Sequence, residues 1–357
     1  MASEEPARDR NPGATPSLAR RLLSIPEVGI LVPLIVLVLF FYACRPTFLA
    51  SDNITAVLRA MAFVGIIAVG ETLLIIVGEI DISVGSVAGL GAILAAHLMA
   101  IAHWHIAAAI LFALFVCALI GALNGLLITR LGVPAFITTI GMLYMARGVK
   151  ELVCGGNTIY PLPAWINSVG PLKPLGTNWA FVIFLALVLA GDLILRRTVY
   201  GRALHATGGN IEVARLAGIN TFWIKMSAFI TCSTLSGLAG ILLMAQLKSG
   251  ETAIGDGWEL NVIASVVVGG VSLLGGAGTL LGTLLGVTIL RVVENGLVVI
   301  KVDPHWQTVA IGLVMILAVM VDVARRTGKL DVRRWLALAA RVPWLKGSKP
   351  PVKEKGP

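Results

Sequence analysis

Two carboxylic acids and two glycines lie close together in the segment Val77–Ser86, which separates two apolar runs that are each long enough to cross a bilayer. Glu79 and Asp81 are the acids, and Gly78 and Gly85 are the glycines. A charge at the bilayer centre is costly unless it is paired or hydrated, and glycine weakens a helix interior by about 1 kcal/mol relative to alanine. The combination predicts a broken helix near an interface or beside a water-lined cavity.

Two interpretations of these acids are open. In the first, Asp81 or Ser83 caps the helix that begins near Val84, because short oxygen-bearing side chains accept hydrogen bonds from the free amides of a helix start. In the second, Glu79 or Asp81 lines a translocation path or contacts a partner subunit.

Other polar side chains interrupt the apolar runs or the glycine-rich segment Gly269–Gly278. Five of them are further candidates for the pathway or for helix breaks: Glu71, Asn124, Ser272, Glu294 and Asn295. A proton-coupled carrier would use acids at such positions, whereas hydrogen bonding to a neighbouring helix explains them without transport.

Enzyme and metal motifs are absent from the sequence. It contains no HExxH, no GxSxG, no GxxxxGK[ST] and no CxxC. His103 and His105 flank a tryptophan that is better explained as an interfacial anchor than as part of a metal site. The four cysteines are expected to be free thiols. We therefore expect a non-catalytic chain that binds no metal or cofactor and does not hydrolyse ATP by itself.

The composition is that of a membrane protein. Apolar residues make up 57% of the 357 residues and charged residues only 13%, against about 25% charged in soluble domains. Ten apolar runs approach the ~20 residues of a spanning helix. They are Gly29–Cys44, Ile54–Val77, Val84–Ala102, Ile106–Ile128, Ala135–Val153, Ala180–Leu195, Ile224–Leu247, Leu260–Leu274, Leu280–Ile300 and Val309–Val321. The predicted fold is an all-α membrane protein with about ten transmembrane helices.

The net charge of +9 comes from basic residues that lie beside the apolar runs, which argues against nucleic acid as a partner. Arginines precede the first run and follow the last, so both termini are expected to be cytoplasmic and the number of spans even. We divide the chain into a polar N-terminal tail (1–24), a transmembrane domain (25–325) and a basic C-terminal tail (326–357). The N-terminus does not have the pattern of a cleaved signal peptide.

The chain also repeats itself. Val77–Ile82 is similar to Val268–Leu273, and Asn124–Leu126 is similar to Asn295–Leu297. A basic residue, a proline and a threonine follow in the same order in both copies. The second copy lacks about one span, so its last part would run in the opposite direction. Partly inverted repeats with broken helices are common in transporters.

A polar loop lies between the sixth and seventh apolar runs. Asn210 is a good N-cap and Gly218 a good C-terminal stop, which predicts a short amphipathic helix between them. Ile211, Ala214 and Ala217 can share one face, and Glu212 and Arg215 another. Because a helix of one or two turns is unstable alone, it needs a surface to pack on, either a cytoplasmic partner or lipid.

This loop resembles the cytoplasmic coupling loop of ABC importer permeases, with the pattern G-x-x-x-x-A-x-G-x-N-x-x-[AV]-A-x-L-A-G-I. The matching residues are Gly201, Ala206, Gly208, Asn210, Ala214, Leu216, Ala217, Gly218 and Ile219. Val77–Ser86 resembles the G-G-I-D-L-S-V-G-S segment of ribose/xylose/galactoside-type permeases, and Gly269–Gly278 their later G-G-x-S-L-x-G-G-x-G segment. The similarity covers about residues 30–325. It departs at Glu79, where the family usually has glycine.

The resemblance implies the other subunits of a transporter. Two permease subunits, identical or different, would form a path for a monosaccharide or related polyol through the bacterial inner membrane. A periplasmic or extracellular solute-binding protein would deliver the solute, and a separate ATP-binding subunit, carrying ATP and Mg, would dock on Asn210–Ala217. A proton- or ion-coupled carrier that uses Glu71, Glu79 or Asp81 is the alternative, and a membrane scaffold without transport is a third.

Overall fold

The computed structural model describes residues 26–169 and 177–303 and parts of 305–320. Its helices are α1 (Pro26–Cys44), α2 (Ser51–Ile76), α3 (Val84–Ala100), α4 (Ile106–Thr129), α5 (Ala135–Cys154), α6 (Ala164–Val169), α7 (Trp179–Arg197), α8 (Val199–Gly209), α9 (Ile211–Leu216), α10 (Thr221–Leu247), α11 (Trp258–Val268) and α12 (Leu280–Val299). A short 3-10 helix, Pro46–Leu49, joins α1 to α2. The described residues contain no strand, only an isolated bridge between Ile159 and Gly250, so the all-α prediction is confirmed.

Five of the described helices are long and apolar enough to cross a membrane: α2, α4, α7, α10 and α12. The apolar helices Gly29–Cys44, α3 and α11 are shorter. Helix α5 has 20 residues but carries three charged residues near its end. The run Val309–Val321 lies partly, and both predicted tails lie wholly, outside the described residues. Ten spans and the inverted repeat therefore remain predictions.

The core of the bundle forms around α2 and α10, which pack on each other. Helix α10 also packs on α3 and α4. Small residues allow these close approaches: a Cβ on Gly240 would lie 1.9 Å from Ala88 O, and a Cβ on Gly121 2.5 Å from Phe229 O. Small residues at helix crossings are the usual means of bringing membrane helices together. Helices α4 and α7, in contrast, present large apolar side chains such as Leu119 and Leu193 outward.

The predicted break is present, and a second break lies in the glycine-rich segment that resembles it in sequence. The first break, residues 77–83, separates α2 from α3, and the second break, residues 269–279, separates α11 from α12. Helix α11 ends at Val268, earlier than the predicted run to Leu274, and its 11 residues rise only about 16 Å. It is too short to cross a bilayer alone. Gly78 at φ +82° and Gly270 at φ +81° lie just beyond the last residues of α2 and α11 and adopt a left-handed conformation that favours glycine, which explains why both helices stop there.

Candidate functional site

The loop between α7 and α10 folds into α8 and α9. The side chain of Asn210 accepts hydrogen bonds from the amides of Glu212 and Val213, both at 3.0 Å, and so caps α9. Gly218, at φ +81°, follows the end of the helix. Arg215 pairs with Glu212 at 3.1 Å across one turn. The predicted short helix, its cap and its i,i+3 pair are therefore all confirmed.

The predicted apolar face of α9, formed by Ile211, Ala214 and Ala217, is not the surface that the helix presents to another molecule. Ala214 is buried against this chain, at 2% exposure, and Ile211 is half-buried. Leu216 is 89% exposed and Val213 60% exposed, while Ala217 is also exposed. Ala214 and Ile211 therefore anchor α9 to its own bundle, and the apolar surface left for another molecule consists of Val213 and Leu216. Sequence periodicity identifies the two faces of a helix but does not say which one turns inward.

Helix α8 rests directly on both helix breaks. A Cβ on Gly208 would lie 1.7 Å from Ile76 O, the last carbonyl of α2. The same carbonyl accepts a hydrogen bond of 2.8 Å from the amide of Gly276 in the second break. A Cβ on Gly275 would lie 3.1 Å from Gly78 Cα. The first break, the second break and α8 thus meet at one point, which is possible only because glycines with no side chain line it.

Further contacts fix α8 in place. Gly201 lies so close to α7 that a Cβ would be 2.2 Å from Leu195 O. The hydroxyl oxygens of Tyr200 and Ser227 are 2.8 Å apart, which links α8 to α10. Burial raises the pKa of the Tyr200 phenol above its ordinary value. The ring nitrogens of His205 lie 2.8 Å from Gly201 O and 3.2 Å from Gly278 O, the latter in the second break.

A buried polar cluster lies just inside the first break. The backbone amide of Asp81 donates to Glu71 Oε1 at 3.1 Å, and Asp81 Oδ1 accepts from the amide and the hydroxyl of Ser83 at 2.8 and 2.5 Å. Asn124 Nδ2 lies 3.5 Å from Asp81 Oδ2, and Cys232 donates to Glu71 Oε2 at 3.4 Å. All of these side chains are fully buried. The structure therefore brings four predicted residues together: Glu71, Asp81, Ser83 and Asn124.

The predicted helix cap has a different form. Ser83 is the N-cap residue of α3 but makes no side-chain capping bond. Asp81 instead binds Ser83 itself, just ahead of the helix. The acid therefore stabilises the turn that leads into α3, and it belongs at the same time to the buried cluster.

Glu79, the residue that departs from the resembling family, is paired. Lys225 Nζ of α10 lies 2.5 Å from Glu79 Oε1, with side-chain exposures of 17% and 13%. The ion pair lines a groove of about 230 Å³ together with Ile211 and Arg215 of α9. Sequence reasoning missed Lys225, although a lysine at the second position of an apolar run is a signal that an acid should be sought nearby.

The remaining candidates lie apart from this cluster. Glu294 pairs with Arg291 at 2.5 Å within α12, and Asn295 exchanges two hydrogen bonds, of 2.8 and 2.9 Å, with Asn53 of α2. Ser272 is buried in the second break, where its hydroxyl accepts from the amide of Leu274. Asn124 and Asn295, equivalent in the predicted repeat, thus have different partners.

Lys150 of α5 is buried beside Gly89 of α3 and holds the loop before α11. Its ammonium donates to Thr252 O and lies 3.1 Å from Asp256 Oδ1, which Arg147 also approaches at 3.6 Å. Sequence analysis did not identify this network. Within the described residues, no three His, Cys, Asp or Glu side chains form a group that can hold a metal ion.

Comparison with known proteins adds independent information. Residues 53–319 match a family described as branched-chain amino acid transport system, permease component. The chain is 36% identical over 299 residues to the ribose import permease protein RbsC of Escherichia coli K12, an alignment that covers 82% of this chain and 92% of that protein. It is 34% identical over 281 residues to the autoinducer 2 import system permease protein LsrC of Yersinia pestis Pestoides F, covering 77% and 78% of the two chains. No solved structure matches.

Proposed function

Since the chain belongs to the permease-component family of branched-chain amino acid transport systems, we propose that it forms the solute pathway of an ATP-binding cassette importer. Its solute is a monosaccharide or related polyol, because its motifs resemble those of the sugar permeases and one relative is named a ribose import permease. The chain lies in the bacterial inner membrane with both termini in the cytoplasm. A second permease subunit and a solute-binding protein complete the pathway.

One observation carries this proposal: α8 and α9 connect an exposed apolar surface to both helix breaks. Val213 and Leu216 face outward, and Gly208 of the adjoining helix lies against the end of α2. A force applied to α9 by another protein would therefore reach the breaks through packed backbone rather than through a flexible loop. A cytoplasmic ATPase whose shape changes with ATP binding is a partner that can apply such a force. ATP binding would then shift the solute pathway between two conformations.

The decisive test is at Leu216. Leu216→Asp places a charge in the proposed contact and should lower ATP-dependent uptake by about tenfold or more, as the loss of an interface anchor does. Membrane insertion should be unchanged, because the side chain is 89% exposed. Uptake of radiolabelled sugars and copurification of the ATPase are the measurements. Leu216→Met, which keeps an apolar side chain of similar volume, is the matched control.

Normal uptake and normal copurification of the ATPase with Leu216→Asp would contradict the docking surface. Substitution of Ala214 is a poor test, since Ala214 is buried within this chain and a large side chain there would disturb α9 itself.

A second candidate function is an ion-coupled carrier, and the buried contact between Asp81 and Glu71 is the observation that favours it. Acids buried within the membrane-spanning part of a protein are functional sites in many transporters. Uptake that persists after ATP depletion but stops when the proton gradient is collapsed would support this alternative and exclude the ATP-driven importer.

A further inference from the structure

The Glu79–Lys225 ion pair joins two elements that are far apart in the sequence. Glu79 lies in the first break, and Lys225 lies about one turn into α10. Both side chains are more than four-fifths buried and 2.5 Å apart. Removing one partner of a buried pair leaves an uncompensated charge, which is strongly unfavourable. The carboxylate and the ammonium are therefore constrained to move together.

On the α10 side, the pair is connected to α9. Arg215 Nε donates to Thr221 Oγ1 at 3.3 Å, and Thr221 precedes Lys225 by four residues on α10. Arg215 and Ile211 of α9 line the same groove as the ion pair. A displacement of α9 would thus be transmitted to the first turn of α10, where Lys225 is attached.

On the other side, the pair is connected to the buried polar cluster. The amide of Glu79 donates to Leu74 O at 2.9 Å, so its backbone is fixed to the end of α2. Two residues later the amide of Asp81 donates to Glu71, and the side chain of Asp81 holds Ser83. Glu79 lies only two residues before Asp81, so a movement of Glu79 that displaces its backbone is passed to this turn.

From these contacts we infer that Glu79 and Lys225 are positioning residues that transmit movement of the α9 surface to the first helix break. This inference rests on the proposed function and adds a second route to the one through Gly208. In this chain the route depends on a charge at position 79, where the resembling permeases usually have glycine. The coupling of solute import to ATP hydrolysis should therefore depend on the charges of these two residues. A contact that only filled space would not show this dependence.

The experiment uses the complete transporter, with its ATPase and solute-binding protein, reconstituted in liposomes. The readout is the number of solute molecules imported per ATP hydrolysed. Glu79→Gln and Lys225→Gln should each lower this ratio by about fivefold or more, the lower range of typical coupling between sites. The exchanged pair Glu79→Lys with Lys225→Glu should restore most of the ratio. Asp192→Asn is the matched control, because its ion pair with Arg196 lies within the single helix α7, so its ratio should not change.

The outcomes separate the two proposals. If the unchanged complex shows no ATP-dependent import, the proposed function is wrong and this inference fails with it. If import depends on ATP but both single variants keep the normal ratio, the transmission role alone is wrong. Should the single variants fail to assemble, the exchanged pair decides: a folded but uncoupled exchanged pair also overturns the inference.

Discussion

At the scale of single residues, the acids of the first break have distinct roles that depend on their partners. Asp81 is fully buried and satisfies two donors of Ser83, with Asn124 beside it, whereas Glu79 is paired with Lys225 of α10. Buried polar groups are tolerated when they are hydrogen-bonded. The capping and the buried-cluster interpretations of Asp81 are therefore not exclusive, since the same carboxylate shapes the turn and completes the cluster.

Asp81→Ala should destabilise the protein strongly. The amide and hydroxyl of Ser83 would lose their acceptor in a buried site, and each such loss costs about 1–3 kcal/mol. Chemical unfolding of the protein purified in detergent should show this decrease in the free energy of unfolding. Asp81→Asn, which keeps an acceptor oxygen, should lose less. Asp52→Ala is the control, because Asp52 is exposed in the first turn of α2 and contributes about 0.3–1 kcal/mol there. Equal stabilities of Asp81→Ala and the control would contradict this assignment.

At the scale of elements, the point where α8 meets the two breaks is defined by backbone contacts. Gly208 lies against the last carbonyl of α2, and Gly275 lies against Gly78. Packed interfaces of this kind shift between discrete arrangements rather than deform continuously. A contact without side chains therefore suits a junction that must move as one piece when α9 is displaced.

Gly208→Ala tests this junction. The added methyl group would lie 1.7 Å from Ile76 O, a backbone atom, so α8 must move away from α2. Overpacking of this kind costs about 1–3 kcal/mol, and we expect loss of most ATP-dependent uptake. The neighbouring Gly209→Ala is an exact positional control in the same helix, since its methyl group would meet only Gly276 Cα at 3.9 Å. Uptake assays in cells that express equal amounts of each variant make the comparison. Equal uptake by the two variants would show that the close approach has no functional importance.

At the scale of the whole molecule, α8 and α9 lie at the same end as the loop after α4. Arg130, at the end of α4, stacks on Phe222 at the start of α10, 4.6 Å from the ring centroid. Arg202 in α8 adds a further positive charge at this end. Basic residues next to membrane helices favour the cytoplasmic side. This distribution supports the proposal that the α9 surface faces the cytoplasm.

Cysteine labelling tests the orientation. Cys44 is exposed and Cys154 partly exposed, so both are first replaced by serine. Glu212→Cys should then react with a membrane-impermeant maleimide only in inside-out vesicles. Ala102→Cys, exposed in the loop between α3 and α4, should react in intact cells. Labelling of Glu212→Cys in intact cells would put the α9 surface outside and remove the basis for an intracellular ATPase contact.

The sequence by itself determined the class of protein and the positions of helix caps and turns. Composition and run length predicted helices, and the comparisons confirm the resemblance to import permeases that three motifs indicated. Asn210, Gly218 and the glycines of the breaks were recognisable because caps and left-handed turns depend on a few adjacent residues. Such signals are local, so they can be read without knowing how the chain folds.

The tertiary structure alone decided which of these residues meet. It turned Ala214 inward and Leu216 outward, paired Glu79 with Lys225 from a helix 146 residues later, and separated Asn295 from the cluster that holds Asn124. It also brought Gly208 onto the end of α2. These contacts join distant parts of the chain, and their geometry is set by how whole helices pack. No pattern within one segment carries that information.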